Sequence, residues 1–465
     1  MRCIKFDVDT ERWHIMSKKI VFIGSGSVTF TRNLVRDILT FPDFQDAVIG
    51  LVDIDPEALE DSRKVVQRII DVGHYPATIQ ASTDRREVLP GADGVVTTIR
   101  VGNDRAERNE ISIPKEYGIS MVVGDTRGPS AVFRYLRVIM PLIEIVRDIE
   151  KYCPQAIYLN YTNPMAMVCR TLQQISKVRT SGLCHSVQNT VEMLARWLEV
   201  PLDEVNYTCA GINHQAHYIR LERNGVDLLP QLRQVILDNP DIYREEIVRN
   251  EMFLHLGYYV TESSGHNSEY NWWFRKRPEL IEKYCHPGTG WNPGFDYMER
   301  MAKMDAMRVP GEESHVTRRK KAFAEWMQEE CDLTRGTEYA AYIFNAVFGD
   351  KKPYVFNGNV RNFGIIDNLP EGCCVEVPVV ASPKGLESVH VGPLPPQLAL
   401  LNNVSAQCEE LAVMGLLEGD REKIYQSCYF DPLTATMLSL AEIRELVDRL
   451  FEAQRDWMPD FKPLI

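Results

Sequence analysis

Cys184 and His214 offer a thiol and an imidazole that could hold one divalent cation, with positions left for substrate and water. Their separation along the chain decides nothing, since a buried Cys is usually packing and a lone His usually a hydrogen-bonded core residue. Asn160, Asn163 and Asp125 carry amide and carboxylate groups that suit a polyhydroxylated ligand, and suit turns and helix caps equally. Arg100 adds a cation to the set. A second constellation is Gly24-Ser25-Gly26-Ser27, which directly follows Ile20-Val21-Phe22-Ile23. Two glycines so spaced let the backbone turn tightly and approach a pyrophosphate, whose charge a following helix N-terminus favours. The last position of the GxGxxG pattern is Thr29. Asp53 ends the next apolar run, where a carboxylate accepts hydrogen bonds from an adenosine ribose and repels a 2′-phosphate. NAD is therefore expected over NADP. A glycine-rich turn without nucleotide, with Asp53 as an ordinary cap, is the alternative.

The elements that must position these groups alternate: short β-branched runs, then longer amphipathic stretches, the pattern of a parallel sheet wound with helices. Strands are expected at Ile20–Ile23, Val48–Val52, Val95–Ile99, Ala156–Leu159 and near Ser181–Leu183. Helices are expected over Thr31–Leu39, Pro56–Val72, Ala131–Tyr152, Pro164–Ser176 and Thr190–Leu198. The polar candidates fall just after the strands, where open α/β sheets bind ligands: Arg100, Asn160 to Pro164, and Cys184-His185-Ser186. His214 follows a further strand, Tyr207–Ala210; another is expected at His217–Glu222, and a final helix at Leu440–Gln454. The Gly/Pro-interrupted stretch His286–Pro310 reads as a loop. The fold class is α/β: a Rossmann-type N-terminal sheet and a C-terminal α+β domain of the lactate-dehydrogenase kind. Residues 1–16 read as an extension without structural patterning, 17–200 as the NAD-binding domain, and 201–465 as the substrate, catalytic and oligomerisation domain.

A net charge of −13 argues against nucleic acid or an anionic membrane as partner. The run Arg318-Arg319-Lys320-Lys321 sits between Glu312-Glu313 and Glu325 and reads as a solvated face. No apolar run approaches the ~20 residues of a membrane helix, and the first residues lack the apolar core of a signal peptide. The 11 cysteines are scattered and odd in number, which points to a reducing, cytoplasmic setting.

Several motifs in order resemble glycoside hydrolase family 4. They are Gly24-Ser25-Gly26-Ser27, Val52-Asp53-Ile54-Asp55, Gly124-Asp125-Thr126, Asn160-Tyr161-Thr162-Asn163-Pro164-Met165, Cys184-His185-Ser186-Val187, Gly211-Ile212-Asn213-His214, Gly257 to Ser264, and Gly358-Asn359-Val360-Arg361-Asn362. The Cys184–Val187 tetrad is similar to that of the melibiase-type α-galactosidases, whereas members acting on 6-phosphoglycosides carry Asp or Asn after the Cys and Pro at the fourth place. The resemblance implies hydrolysis without net redox, an exception to the two-carboxylate scheme. Sugar C3 gives hydride to NAD⁺, C2 loses a proton to a base, and the aglycone leaves C1 by elimination. Water then adds and the hydride returns. The expected substrate is an α-galactoside; an α-glucoside or an α-glucuronide or galacturonide is the alternative within the family, and a 2-hydroxy-acid-type dehydrogenase the alternative outside it.

The resemblance also implies roles. Cys184 and His214 become ligands of Mn²⁺, for which Co²⁺, Ni²⁺ or Fe²⁺ could substitute, and oxidation of Cys184 should inactivate. Asn163, Asn160 and Arg100 become substrate-binding. Asp125 holds substrate or raises the basicity of the base, and His185 protonates the leaving oxygen or binds a hydroxyl. The position where other branches place an Asp base is Ser264 here, which leaves Tyr259, Glu262, His266, Tyr270 or a metal-bound hydroxide. Arg127 and Ser130 interrupt the family's glycine-rich turn after Asp125. A homodimer or homotetramer is implied.

Overall fold

The computed structural model describes residues 17–285, 297–306 and 308–465. The expected extension, 1–16, lies outside them, as does part of the expected loop His286–Pro310; another part of that stretch is a helix, Tyr297–Ala306. Strands run in the order β1 (Lys19–Ile23), β2 (Val48–Val52), β3 (Thr78–Ser82), β4 (Gly94–Thr97), β5 (Ile157–Asn160), β6 (Arg179–Gly182), β7 (Val205–Ala210), β8 (His217–Arg223), β9 (Val226–Asp227), β10 (Tyr259–Val260), β11 (Tyr354–Arg361), β12 (Cys374–Ser382) and β13 (Gly385–Ser388).

The first six are parallel in the order β3-β2-β1-β4-β5-β6, the doubly wound arrangement of dinucleotide-binding sheets. Period-two side-chain alternation puts Val21 and Ile23 of β1 into one core and Ile20 and Phe22 into another. The first core is covered by the helices Gly128–Tyr152, Pro396–Glu418 and Leu440–Ala453, the second by Val28–Leu39, Pro56–Gly73 and Tyr339–Phe348. Both faces of the sheet are thus apolar at its centre, which is why β1 and β2 read as unbroken hydrophobic runs rather than alternating ones.

The sheet continues beyond β6. The antiparallel set β11-β12-β13 extends it to nine strands, and Asn359 of β11 pairs with Gly182 of β6. A bridge from Gly211 to Glu376 of β12 ties in the second, smaller sheet, β10-β8-β7 with β9 on β8. β3 and β11 to β13 escape the sequence patterns for physical reasons. β3 is a polar, half-exposed edge strand, and Asn357-Gly358-Asn359 of β11 has the composition of a turn. In the fold Gly358 is a contact point: a Cβ there would lie 2.6 Å from Ser181 Oγ and 2.8 Å from the Phe356 ring. No helix among the described residues is long and apolar enough to cross a membrane.

Arg319 departs from the expectation of a solvated basic run. Its side chain is 8% exposed and lies 3.2 Å from Asp61, 3.3 Å from Glu57 and 3.7 Å from Asp55. The run clamps the helix Ser314–Trp326 onto the start of the helix Pro56–Gly73.

Candidate active site

The glycine turn has the shape a nucleotide needs. Gly24 sits at φ +82°, a conformation that costs other residues about 1–2 kcal/mol, and a Cβ on it would lie 2.8 Å from the Thr98 carbonyl oxygen. Asp53 accepts from the Gly26 amide at 2.8 Å and the Asp55 amide at 3.0 Å, which fixes the carboxylate against the turn. Burial lifts the Asp53 carboxyl above its ordinary value, and these two amides oppose the lift. The helix Val28–Leu39 begins with no side-chain cap from Ser27 and no acidic residue in its first turn, so its positive end is left for an anion. Ser25 Oγ is buried without a partner among the described residues. These features fit a dinucleotide. Gly24→Ala is expected to weaken NAD⁺ binding roughly tenfold or more, the equivalent of the backbone strain alone, as read by calorimetric titration.

A cleft of about 250 Å³ leads from Ser27 and Phe30 past Thr98–Arg100 to Asn163 and Asp125. Cys184 Sγ stands 3.2 Å from His214 Nε2, and Thr126 links that imidazole to Asp125 of the cleft. Cys184 follows β6 and His214 follows β7 of the second sheet, so the segments after these two strands bring together two residues that are remote in sequence. The imidazole tautomer follows from its partners. Thr126 donates its hydroxyl proton to Asp125 Oδ1 at 2.8 Å, so Thr126 Oγ1 accepts from His214 Nδ1 at 3.0 Å and Nε2 keeps its lone pair. Burial holds His214 down at about 4, in the neutral form a cation requires. The Cys184 thiol is pushed well above its ordinary value, first by burial and then by the charge of Glu262, so a cation is needed to make it a thiolate. A thiol and a neutral imidazole oriented on one point fit a divalent cation.

Asp125 and His266 form the adjoining pair. His266 Nε2 lies 3.5 Å from Asp125 Oδ1, and its Nδ1 lies 3.2 Å from Glu262 Oε1. Burial disfavours charge on His266, but Glu262 and Asp125 outweigh it and lift the imidazole to about 9. Burial would likewise raise Asp125, yet His266 holds it far below the usual carboxylate range. Asn163 Nδ2 donates to Asp125 Oδ2 at 3.2 Å. Glu269 accepts from the amides of Val122, Val123 and Gly124 and so fixes the loop that carries Asp125.

His185 occupies the other wall. Its Nε2 is 2.7 Å from Glu338 Oε1, and Tyr161 donates to the second oxygen at 3.3 Å. Its ring lies 5.8 Å from that of Phe30, which belongs to the nucleotide helix. Burial lowers the imidazole, but Glu338 more than compensates and raises it above its ordinary value.

Residues 19–200 match the profile described as Family 4 glycosyl hydrolase, and residues 209–434 match its C-terminal domain. The chain belongs to glycoside hydrolase family 4. An α-galactosidase of Bacillus subtilis strain 168 is 34% identical, covering 96% of this chain and 100% of its own. An α-galactosidase of Rhizobium meliloti strain 1021 is 31% identical, covering 96% and 90%. A solved 6-phospho-α-glucosidase from gut microorganisms, in complex with NAD and Mn²⁺, is similar in fold at TM-score 0.77 and 20% identity, covering 96% of this chain and 100% of that one.

The structure does not bring every candidate residue of this family 4 chain to the cleft. Asn160 is fully buried and spends its amide on Thr162 and Thr97, holding the turn after β5. Tyr259 is fully buried too; its hydroxyl donates to Asn250 at 3.0 Å and its ring packs on Trp197 and Phe253, away from the other candidates. Arg100 lines the cleft, but Glu107 at 2.8 Å and Asp104 at 3.0 Å already occupy its guanidinium. Ser264, also fully buried, accepts from the Val248 amide, a structural role. The family departure at Arg127 is internal: it donates to the Asn213 carbonyl at 2.6 Å, stacks on Tyr270 and pairs with Glu409 at 3.4 Å. The other departure, Ser130, is buried and donates to the Glu110 carbonyl.

Behind Arg127, burial lifts Glu409 to about 7. The native state therefore keeps a proton that the unfolded chain releases from about pH 4.5 upward. Stability from this group is present below that range and is lost as pH rises toward 7, by roughly 3 kcal/mol. Glu409→Gln cannot titrate, so its melting temperature should gain on that of the unaltered protein between pH 5 and pH 8.

Proposed function

We propose that this family 4 enzyme hydrolyses α-galactosides, using NAD and a divalent cation, Mn²⁺ foremost, without net oxidation. The observation that carries the reading is a single cleft joining the glycine turn to Asp125 and Asn163, beside the Cys184–His214 pair. The two α-galactosidases similar to it along their full or nearly full length supply the sugar.

Gly24, Gly26, Asp53 and the uncapped helix would hold NAD, while Cys184 and His214 would hold the cation. When bound, the two groups supply a reversible hydride acceptor and a Lewis acid. Asn163, tethered to Asp125, presents its amide to a sugar hydroxyl. His266 takes the C2 proton on Nε2, beside Asp125 at 3.5 Å, while Nδ1 faces Glu262; the two carboxylates stabilise the charge that forms. His185, whose hold on a proton Glu338 strengthens, gives a proton to the departing glycosidic oxygen. The ten described cysteines are all free, in keeping with action in a reducing compartment.

The test is a panel of aryl α- and β-glycosides, uronides and their 6-phosphates, assayed with NAD⁺, Mn²⁺ and a thiol. The α-galactoside should be cleaved only when both NAD⁺ and metal are present, with no stoichiometric NADH. Hydrolysis confined to a β-glycoside or a phosphorylated sugar would overturn the reading, as would full activity after chelation and NAD stripping.

A further inference from the structure

We propose that Glu262 is a third protein ligand of the cation site, completing a thiolate–imidazole–carboxylate set with Cys184 and His214. The inference rests on the cation reading above and extends it to a residue outside the Cys–His pair.

Glu262 Oε2 lies 3.5 Å from His214 Nε2, the nitrogen whose lone pair is free, and Cys184 Sγ lies 3.2 Å from the same atom. All three donors fall within 4.8 Å of one another. Two donors held ~2.0–2.3 Å from one cation at tetrahedral or octahedral angles stand roughly 3.0–3.7 Å apart, so both separations are edges of a coordination polyhedron. The backbone supports the assignment. Glu262 has φ +71°, a left-handed conformation rare outside glycine, and such strain persists where the surroundings hold it for a purpose. It directs a half-buried carboxylate toward the same point as the imidazole and the thiol, with Oε2 3.5 Å from His214 Nε2. Its second oxygen, 3.2 Å from His266 Nδ1, is anchored in the manner of metal-binding carboxylates. In a competing group, Asp125 with His214 and His266, the Asp125 carboxylate and the His266 imidazole already pair with each other.

The carboxylate changes the chemistry of the site. A thiol and an imidazole alone are soft to borderline donors and discriminate against Mn²⁺, whereas a carboxylate oxygen favours it. Three ligands still leave positions for two sugar oxygens or water.

The experiment is Mn²⁺ titration of the metal-stripped full chain with NAD⁺ present and no sugar, following free Mn²⁺ by electron paramagnetic resonance. Glu262→Gln should bind Mn²⁺ roughly 100-fold more weakly, with NAD⁺ affinity unchanged. At saturating Co²⁺ the Gln variant should keep the thiolate-to-cobalt absorption, which Cys184→Ser loses. Unaltered Mn²⁺ affinity in Glu262→Gln overturns the ligand assignment and leaves the cation site standing. So does parallel loss of NAD⁺ binding, which marks a structural role. Failure of the unaltered protein to bind Mn²⁺ overturns the cation reading itself.

Discussion

Cys184→Ser is expected to lower kcat/KM for an aryl α-galactoside by about 10³-fold or more, since Lewis-acid stabilisation is worth several kcal/mol and each 1.36 kcal/mol is tenfold. A serine hydroxyl is close in shape, so the turn after β6 should keep its fold. It does not ionise in the manner of a thiol, however, and the charge that balances the cation is lost. His214 cannot compensate, because its imidazole is neutral and its second nitrogen is taken by Thr126. The loss should appear mainly in kcat, because the cation acts on charge that develops during reaction. NAD⁺ affinity, set at the glycine turn, should stay within a few-fold, and melting in chelator should not shift. Activity within tenfold of the unaltered enzyme would remove Cys184 from the chemistry.

His266→Gln is expected to cost about 10²–10⁴-fold in kcat, the usual range for a positioned base. The informative readout is isotopic: the variant should lose exchange of the C2 hydrogen with deuterated solvent, while transient reduction of NAD⁺ persists. Glutamine keeps a polar group beside Asp125 and Glu262 but cannot accept the proton. The pH profile gives a second check. A base works when deprotonated, so the rate of the unaltered enzyme falls as pH drops below the His266 value. That value is about 9 with both neighbouring carboxylates charged; neutralising Glu262 with a cation removes one cause of the elevation and moves the acid limb toward neutrality. The variant should show no such limb. If exchange at C2 survives in His266→Gln, the proton goes elsewhere.

The doubly wound half was legible because its chemistry is local. β1 and β2 are uninterrupted β-branched runs, and the Gly24 turn advertises a conformation other residues avoid. Cys184 and His214 became a pair only through the family pattern, since nothing in their spacing reveals that the segments after β6 and β7 meet. Glu338 left no signal at all: it sits in a stretch without periodicity and matters only because His185 is 2.7 Å away. Asn160 and Tyr259 show the converse failure. Their types are right for substrate binding and catalysis, but each side chain is consumed inside the protein. Side-chain direction, which a motif does not encode, decided both cases.

The β11-β12 hairpin touches the segments that lead to Cys184 and to His214: Asn359 pairs with Gly182, two residues before Cys184, and Glu376 bridges to Gly211, three before His214. It works as a caliper that sets the gap between thiol and imidazole. During synthesis the first strands and the nucleotide turn can form early from neighbouring sequence, but the gap is set only after residues near 376 have left the ribosome. The gap between Cys184 and His214 therefore rests on strands that come far later in the chain than either residue.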